Sequence, residues 1–340
     1  MLHRKLNRIL IIQTAFLGDV ILATPLVRAL KQTLPGARLE VLLIPETRTI
    51  LRHNPYISDI LTFDKRKLRN KFFSLFRLIL EIQKRQYDLA ISVQSSLTSS
   101  LIMVLGGIPM RLGFSRQKFL THAVPHPSGL HKIQKVLRLM EPLTDQKFDM
   151  QTELHWTAAE ADRADQIITP LRERRTPIVG IAPGSIWYTK RWLKEYYAEL
   201  VNLLEHEHIQ SVLIGGAEDH RLCEFIRAGS NAINLAGALS VLESAALIER
   251  LDLMVTNDSA PLHIANAVKT DVIAIFGPTV TDFGFYPFRK NDLVIEVELD
   301  CRPCSSHGGK KCPLKHHHCM KNILPERVFN AIIAKLHSKR

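Results

Sequence analysis

Four short stretches carry the side chains that could do chemistry, and each follows an apolar run. The first, QTAFLGDVILATP (13–25), brings Gly18 and Asp19 to a helix start. A carboxylate there can cap the helix or stabilise its dipole, and the spacing alone favours that role. Turned toward a ligand, Asp19 could instead take a proton from an acceptor hydroxyl. The second, APGSIWYTKRW (182–192), offers the Ser185 hydroxyl and then Lys190 and Arg191 before an amphipathic helix. Cations sit poorly at the positive end of a helix, so their presence suggests an anionic ligand. An ammonium there could neutralise a leaving diphosphate. The third, GGAEDH (215–220), places Glu218 and Asp219 after a strand, where a carboxylate could bind a ribose diol or cap a helix. The fourth, NDSAPLHIANA (257–267), has Asp258 and Ser259 as capping residue types and Pro261 suited to a first helical turn. Backbone N–H groups at such a start make a phosphate site. His263, one turn in, is either a core histidine or a ligand contact.

The elements that must position these residues alternate. Strands are predicted at 9–14, 39–44, 60–63, 89–93 and 110–114, then at 178–182, 210–214, 233–234, 253–256, 272–276 and 293–297. Helices are predicted between them: within 15–36, at 67–84, after 94, at 131–141, 158–171, 193–205, 219–228, 241–249, 262–267 and 325–337. The stretch from 115 to 127 reads as irregular. Apolar strands alternating with helices imply parallel sheets covered on both faces, with ligands beyond the carboxyl ends of the strands. Polar turns from 142 and the charged RERRTP at 172–177 mark a boundary. The expected organisation is an N-terminal Rossmann-like domain over 1–150, a linker region over 151–177, a second Rossmann-like domain over 178–324 and a C-terminal helix over 325–340.

The 340 residues carry a formal net charge of +12, which attracts anions: nucleic acid, an anionic membrane face or a phosphorylated substrate. No nucleic-acid-binding motif of the usual spacing is present. No G-x-G-x-x-G follows the first strand, which disfavours an oxidoreductase. The N-terminus reads as a strand and not as a signal peptide, and no apolar run is long enough to span a bilayer, so a cytoplasmic location is expected. Residues 65–85 combine eight Lys and Arg with three Phe. They read as a solvated basic face over a core stripe, or as a foot on an anionic membrane. Four of five cysteines, Cys301, Cys304, Cys312 and Cys319, read C-x2-C-x7-C-x6-C, with His316, His317 and His318 among them. Such a set could hold a structural zinc, stay as reduced thiols or form a disulfide.

Taken together, LGDVILATP, APGSIWYTKRW, GGAEDH, VTNDSAPLHIANA and FGPT, in that order, resemble glycosyltransferase family 9, the ADP-heptose:lipopolysaccharide heptosyltransferases. The KRW and TNDS forms and the cysteine-rich tail look closest to the heptosyltransferase II branch. The resemblance implies α/β GT-B architecture: two Rossmann-like doubly wound domains facing a cleft, acceptor on the N-terminal side and nucleotide-sugar on the C-terminal side. It implies inverting transfer of a heptose from ADP-heptose to the inner core of lipopolysaccharide. Asp19 matches the family's general base, and Lys190 and Asp258 match its lysine and helix-start aspartate. Ser259, Ala260 and His263 fall at diphosphate contacts and Ser185 at a donor-site hydroxyl. Gly18, Arg111, Arg116 and Lys118 are expected on the acceptor side, with Lys132 a further candidate. No cofactor is required for transfer by this scheme. The implied partners are the ADP-sugar donor, an anionic lipopolysaccharide precursor and the inner-leaflet membrane surface, with no nucleic acid. The competing readings are a family-9 transferase with another sugar donor, a sugar-nucleotide epimerase, and a basic membrane- or nucleic-acid-binding protein with a degenerate site.

Overall fold

The computed structural model describes residues 6–64 and 71–338. The chain divides into two compact units, Met1–His155 and Trp156–Arg340. In the first, β1 (Arg8–Ile12), β2 (Arg38–Leu43), β3 (Ile57–Thr62), β4 (Leu89–Ser92), β5 (Met110–Phe114) and β6 (His122–Val124) form one parallel sheet in the order β3-β2-β1-β4-β5-β6. Around it lie α1 (Leu17–Ile21), α2 (Thr24–Thr33), α3 (Lys71–Arg85), α4 (Leu97–Leu105) and α5 (Lys132–Leu137).

The second unit opens with α6 (Ala158–Arg172). Its sheet comprises β7 (Ile178–Ala182), β8 (Gln210–Leu213), β9 (Ile233–Asn234), β10 (Leu253–Asn257), β11 (Val272–Ile275) and β12 (Leu293–Ile295), in the order β12-β11-β10-β7-β8-β9. Its other helices are α7 (Lys194–His206), α8 (His220–Arg227), α9 (Val241–Glu249), α10 (Ala260–Ala267), α11 (His318–Lys321) and α12 (Pro325–His337). Numbered within its own unit, each sheet reads 3-2-1-4-5-6. The strand order reverses between β1 and β4 in one and between β7 and β10 in the other. That reversal is where doubly wound sheets bind ligands.

The central strands β1 and β7 are apolar nearly throughout, without alternation, because helices cover both faces. All five residues of β7 (IVGIA) are buried, and so are four of the five in β1 (RILII). α6 and α9 start on capping boxes that the sequence spells as T-x-x-E and S-x-x-E: Thr157 with Glu160, and Ser240 with Glu243. α6 packs on α9 within the second unit, so the division between units falls inside the stretch read as a linker. α12 contributes Val328, Ile332 and Leu336 to the second unit's core.

The structure departs from the sequence expectations in a few places. The helix expected within 15–36 is broken into α1 and α2, because Pro25 has no N–H to continue the ladder from α1. The stretch expected to be irregular holds β6, three residues paired with β5, too short to show a periodicity. The expected helix at 67–84 begins outside the described residues; its described part, α3, starts at Lys71.

One feature of the first sheet has no counterpart in the apolar pattern. Glu40 on β2 is fully buried. It accepts from Arg8 Nη2 at 2.9 Å, from the Tyr87 hydroxyl at 2.5 Å and from Arg85. Arg85 also reaches Asp59 and Glu81, each at 2.6 Å. Burial pushes the Glu40 carboxyl up, but the hydrogen bonds from Tyr87, Arg8 and Arg85 outweigh it and hold the group below its ordinary value.

Candidate functional site

In the second unit β7 and β10 are neighbours, so the segments leaving their carboxyl ends emerge side by side. After β7 the chain makes a 3-10 turn at Tyr188–Lys190. Lys190 Nζ donates to Asp258 Oδ2 at 2.5 Å, and the Thr279 hydroxyl donates to the same oxygen at 2.6 Å. The Lys190 and Asp258 side chains are only 12% and 7% exposed. The sequence brought Lys190 and Asp258 forward as separate candidates; the fold makes them one buried ion pair. The capping role considered for Asp258 is not what its carboxylate does. α10 begins at Ala260, two residues earlier than expected, with Ser259 as its N-cap residue and no side-chain capping bond. An ammonium has three N–H donors, so binding Asp258 leaves Lys190 capacity for a ligand oxygen.

Asn257, the last residue of β10, is fully buried and ties the surrounding loops together. Its Oδ1 accepts from the Trp192 backbone N–H at 3.0 Å and the Tyr197 hydroxyl at 3.1 Å. Its Nδ2 donates to the carbonyls of Pro183 at 2.9 Å and Gly184 at 3.4 Å. Asn257 and Thr279 were not singled out from the sequence. The available signal was an amide closing the run LMVT, since a buried amide needs partners on every side.

The remaining donor-side candidates lie nearby in the chain but in different environments. Ser185 Oγ accepts from Trp187 N at 3.3 Å, and its carbonyl accepts from Arg191 Nε at 2.7 Å. Ser259 Oγ and Thr256 Oγ1 are 3.4 Å apart. Ala260 opens α10, and His263, buried in the same helix, meets the Phe285 ring edge-on at 6.4 Å. Glu218 is exposed on a 3-10 turn, whereas its neighbour Asp219 packs against the strand ends. A Cβ on Gly184 would lie 2.3 Å from Asp219 Oδ2, so any larger residue there would displace the carboxylate. Burial pushes the Asp219 carboxyl up; a hydrogen bond from Gly216 N–H opposes it, Glu218 adds to it and Arg191 opposes it.

In the first unit the strand-order reversal is closed by amides. Gln13, buried at the end of β1, accepts from Gln94 and donates to the Asp19 carbonyl at 3.1 Å. Asp19 lies in α1 with its side chain 21% exposed, and its Oδ1 is 3.7 Å from Lys132 Nζ at the start of α5. More positive charge gathers beside Lys132. Burial lowers the proton affinity of His126, and so do the charges of Arg116, Lys135 and Lys132. Lys135 is lowered by burial and by Lys132. His126 and Lys135 were also missed by the sequence reading. No local signal marked them: Lys135 lies in the last turn of α5, where a cation suits the dipole. Lys190 likewise ends its 3-10 turn and stands outside α7, so the helix-start placement expected for it is not what the structure shows.

Other acceptor-side candidates are placed differently. Arg111 spends its guanidinium on backbone carbonyls, with Nε to Phe119 and Nη1 to Ile108, both at 2.8 Å. Gly18 is buried within α1, and Arg116 and Lys118 are exposed. The cysteines are free thiols. Burial raises Cys319 to about 11, and burial, Cys312 and Cys301 raise Cys304. Among the described residues no three His, Cys, Asp or Glu side chains are grouped as a metal site.

Comparison with known proteins places this geometry. The family model described as glycosyltransferase family 9 (heptosyltransferase) matches residues 75–318. Lipooligosaccharide heptosyltransferase 2 of Campylobacter jejuni is 26% identical over 324 residues, 93% of this chain and 95% of that protein. Lipopolysaccharide heptosyltransferase 3 of Escherichia coli is 30% identical over 298 residues, 81% of this chain and 83% of that protein. The solved structure of the Escherichia coli ADP-heptose lipopolysaccharide heptosyltransferase II is 23% identical, with a TM-score of 0.78 over 98% of this chain and 99% of that one. The fold is therefore GT-B, built from two Rossmann-like doubly wound domains. The chain belongs to glycosyltransferase family 9, the heptosyltransferase family.

Proposed function

We propose that the chain transfers a heptose from ADP-heptose to the anionic inner core of a lipopolysaccharide precursor, with inversion at the anomeric carbon. The observation that carries this reading is the buried Lys190–Asp258–Thr279 cluster at the β7/β10 reversal, beside the start of α10. As the bond to ADP breaks, negative charge grows on the leaving diphosphate. Lys190, held in place by Asp258, and the backbone N–H groups at 259–260 stabilise that charge. On the acceptor side, Asp19 takes the proton from the attacking hydroxyl. Lys132 next to it, with Lys135, Arg116 and His126 close by, supplies positive charge for the carboxylates or phosphates of the acceptor. This chemistry draws on no resident metal. A zinc at Cys301, Cys304, Cys312 and Cys319 would have a structural role and would require those thiols to close around it; metal analysis of the purified protein reads that out.

The acceptor is lipid-linked, and the surface of the first unit suits an anionic inner leaflet. α3 exposes Phe73 and Phe76, 62% and 58% accessible, with the Arg77 guanidinium 5.8 Å from the Phe73 ring centroid. α4, packed beside it, exposes Leu97 at 61%. Apolar side chains interleaved with basic ones bind at a bilayer interface. Among the described residues no helix is long and apolar enough to cross a membrane. Flotation with vesicles containing anionic lipid should recover the protein, and Phe73→Ser with Phe76→Ser should abolish recovery. Equal recovery by the double variant removes the membrane contact from this reading.

The transfer itself is tested by ADP release from ADP-heptose in the presence of acceptor. Lys190→Ala should slow turnover by about 10²–10³, the loss of one donor to a developing anion. Asp19→Ala should slow it by about 10²–10⁴, the loss of a general base. Unchanged turnover in both variants sinks the assignment.

A further inference from the structure

The cysteine-rich segment plays no part in the transfer scheme, yet it lies directly on the Lys190 turn. Thr189, 2% exposed, is the point of attachment. Its backbone N–H donates to the Gly309 carbonyl at 3.0 Å, and its hydroxyl donates to the same carbonyl at 3.1 Å. The Gly309 N–H donates to the Thr189 hydroxyl at 2.7 Å. His317 Nε2 lies 2.9 Å from the Thr189 carbonyl, which can only accept, so this nitrogen carries the proton. The His317 ring also stacks on Tyr188, with centroids 5.8 Å apart. Gly308 presses on the same turn with φ at +90°. A Cβ there would lie 2.9 Å from Trp187 Cβ and 3.0 Å from Lys190 Cγ.

The same segment also grips the other arm of the cluster. Arg302 Nη2 donates to the Thr279 carbonyl at 2.9 Å and to Glu296 at 2.6 Å, and the guanidinium also binds the carbonyls of Gly277 and Val297. Cys304 N donates to the Pro278 carbonyl at 3.1 Å. Lys190 and Thr279, the two donors to Asp258 Oδ2, are therefore both held from behind by one stretch of chain. That stretch is anchored in the core through Cys319 and Met320.

We propose that the cysteine-rich segment 301–319 is a clamp that sets the position of Lys190, with Thr189 as the positioning residue through which it acts. The consequence for catalysis rests on the heptose-transfer reading; the clamp itself does not.

The experiment compares Thr189→Val, which keeps the shape and loses the hydroxyl, with Thr189→Ser, which restores it, and with Gly308→Ala. Acetylation of Lys190 by acetic anhydride, read by peptide mass spectrometry on the full chain, reports its position without any substrate. Thr189→Val should speed labelling about tenfold, the factor equivalent to one buried hydrogen bond, Gly308→Ala should speed it by pushing the new Cβ against Lys190 Cγ, and Thr189→Ser should label like the wild type. Turnover of ADP-heptose should fall about tenfold in Thr189→Val and return in Thr189→Ser. In a Lys190→Ala background Thr189→Val should cost nothing further, because both act through one group. Unchanged Lys190 labelling in both Thr189→Val and Gly308→Ala overturns the clamp, whatever the turnover. Faster labelling with full turnover leaves the clamp standing and overturns the role of Lys190 on the leaving group. An undiminished effect of Thr189→Val in the Lys190→Ala background overturns action through Lys190.

Discussion

Asp258→Asn probes the arrangement on which the donor site depends. The substitution keeps the shape of the side chain and an oxygen that can accept from Thr279, but it removes the negative charge facing Lys190. With the two side chains 7% and 12% exposed, solvent screens the pair poorly. Removing one partner of a buried pair costs about 3–5 kcal/mol, mostly for the charge left behind. The surviving hydrogen bonds put Asp258→Asn near the lower end, about 3 kcal/mol. In urea, with a slope of about 2 kcal/mol per molar, the midpoint should fall by about 1.5 M. Tryptophan fluorescence is a suitable probe, because Trp156, Trp187 and Trp192 all lie in the second unit and report on its unfolding alone. Lys190→Met, which leaves the carboxylate with Thr279, should cost a similar amount. The double variant should cost less than the sum, with a coupling of about 2 kcal/mol. Additive effects, with Asp258→Asn within about 0.5 kcal/mol of the wild type, would show that no buried pair is formed and would refute the reasoning.

Three further outcomes are expected. Asn257→Ala leaves the Trp192 N–H and the Tyr197 hydroxyl buried without their acceptor, and should lower the second unit's stability by about 3 kcal/mol in the same fluorescence measurement. Glu40 has its folded pKa below its ordinary 4.5, so its contribution is present above that pH and is lost as pH falls through the folded value. The first unit's unfolding, followed by circular dichroism, should therefore weaken steeply on acidification, and Glu40→Gln should flatten that slope. Lys132→Ala should raise the KM for acceptor about tenfold and leave the KM for donor unchanged, the pattern of a lost charge-assisted contact on one substrate.

Much of the fold was legible because it rests on local, repeated signals. Apolar runs such as VIAI in β11 and the capping boxes of α6 and α9 fix element type and place. The strand ends that carry Asp19, Lys190 and Asp258 were legible for the same reason. What could not be read were relations between residues far apart in the chain. Lys190 and Asp258 are 68 positions apart, and Thr189 and Gly309 are 120 apart; their pairing depends on which strands are neighbours. Asp258 also looked like a cap because Asp before a helix normally is one. Tertiary pairing with Lys190 won over that local preference. Glu40 shows the same limit in the first sheet, since nothing around it in sequence announces Arg8, Arg85 and Tyr87 as partners.

The central claim is tested most directly by incubating the purified full chain with a lipopolysaccharide precursor and, in parallel, with ADP-heptose or other sugar nucleotides, then taking the mass of the acceptor. Gain of one heptosyl residue with ADP-heptose, and no gain when Lys190 is replaced by Ala, is the predicted result. Transfer from another sugar nucleotide in preference to ADP-heptose, or no gain in acceptor mass with any donor, would contradict it.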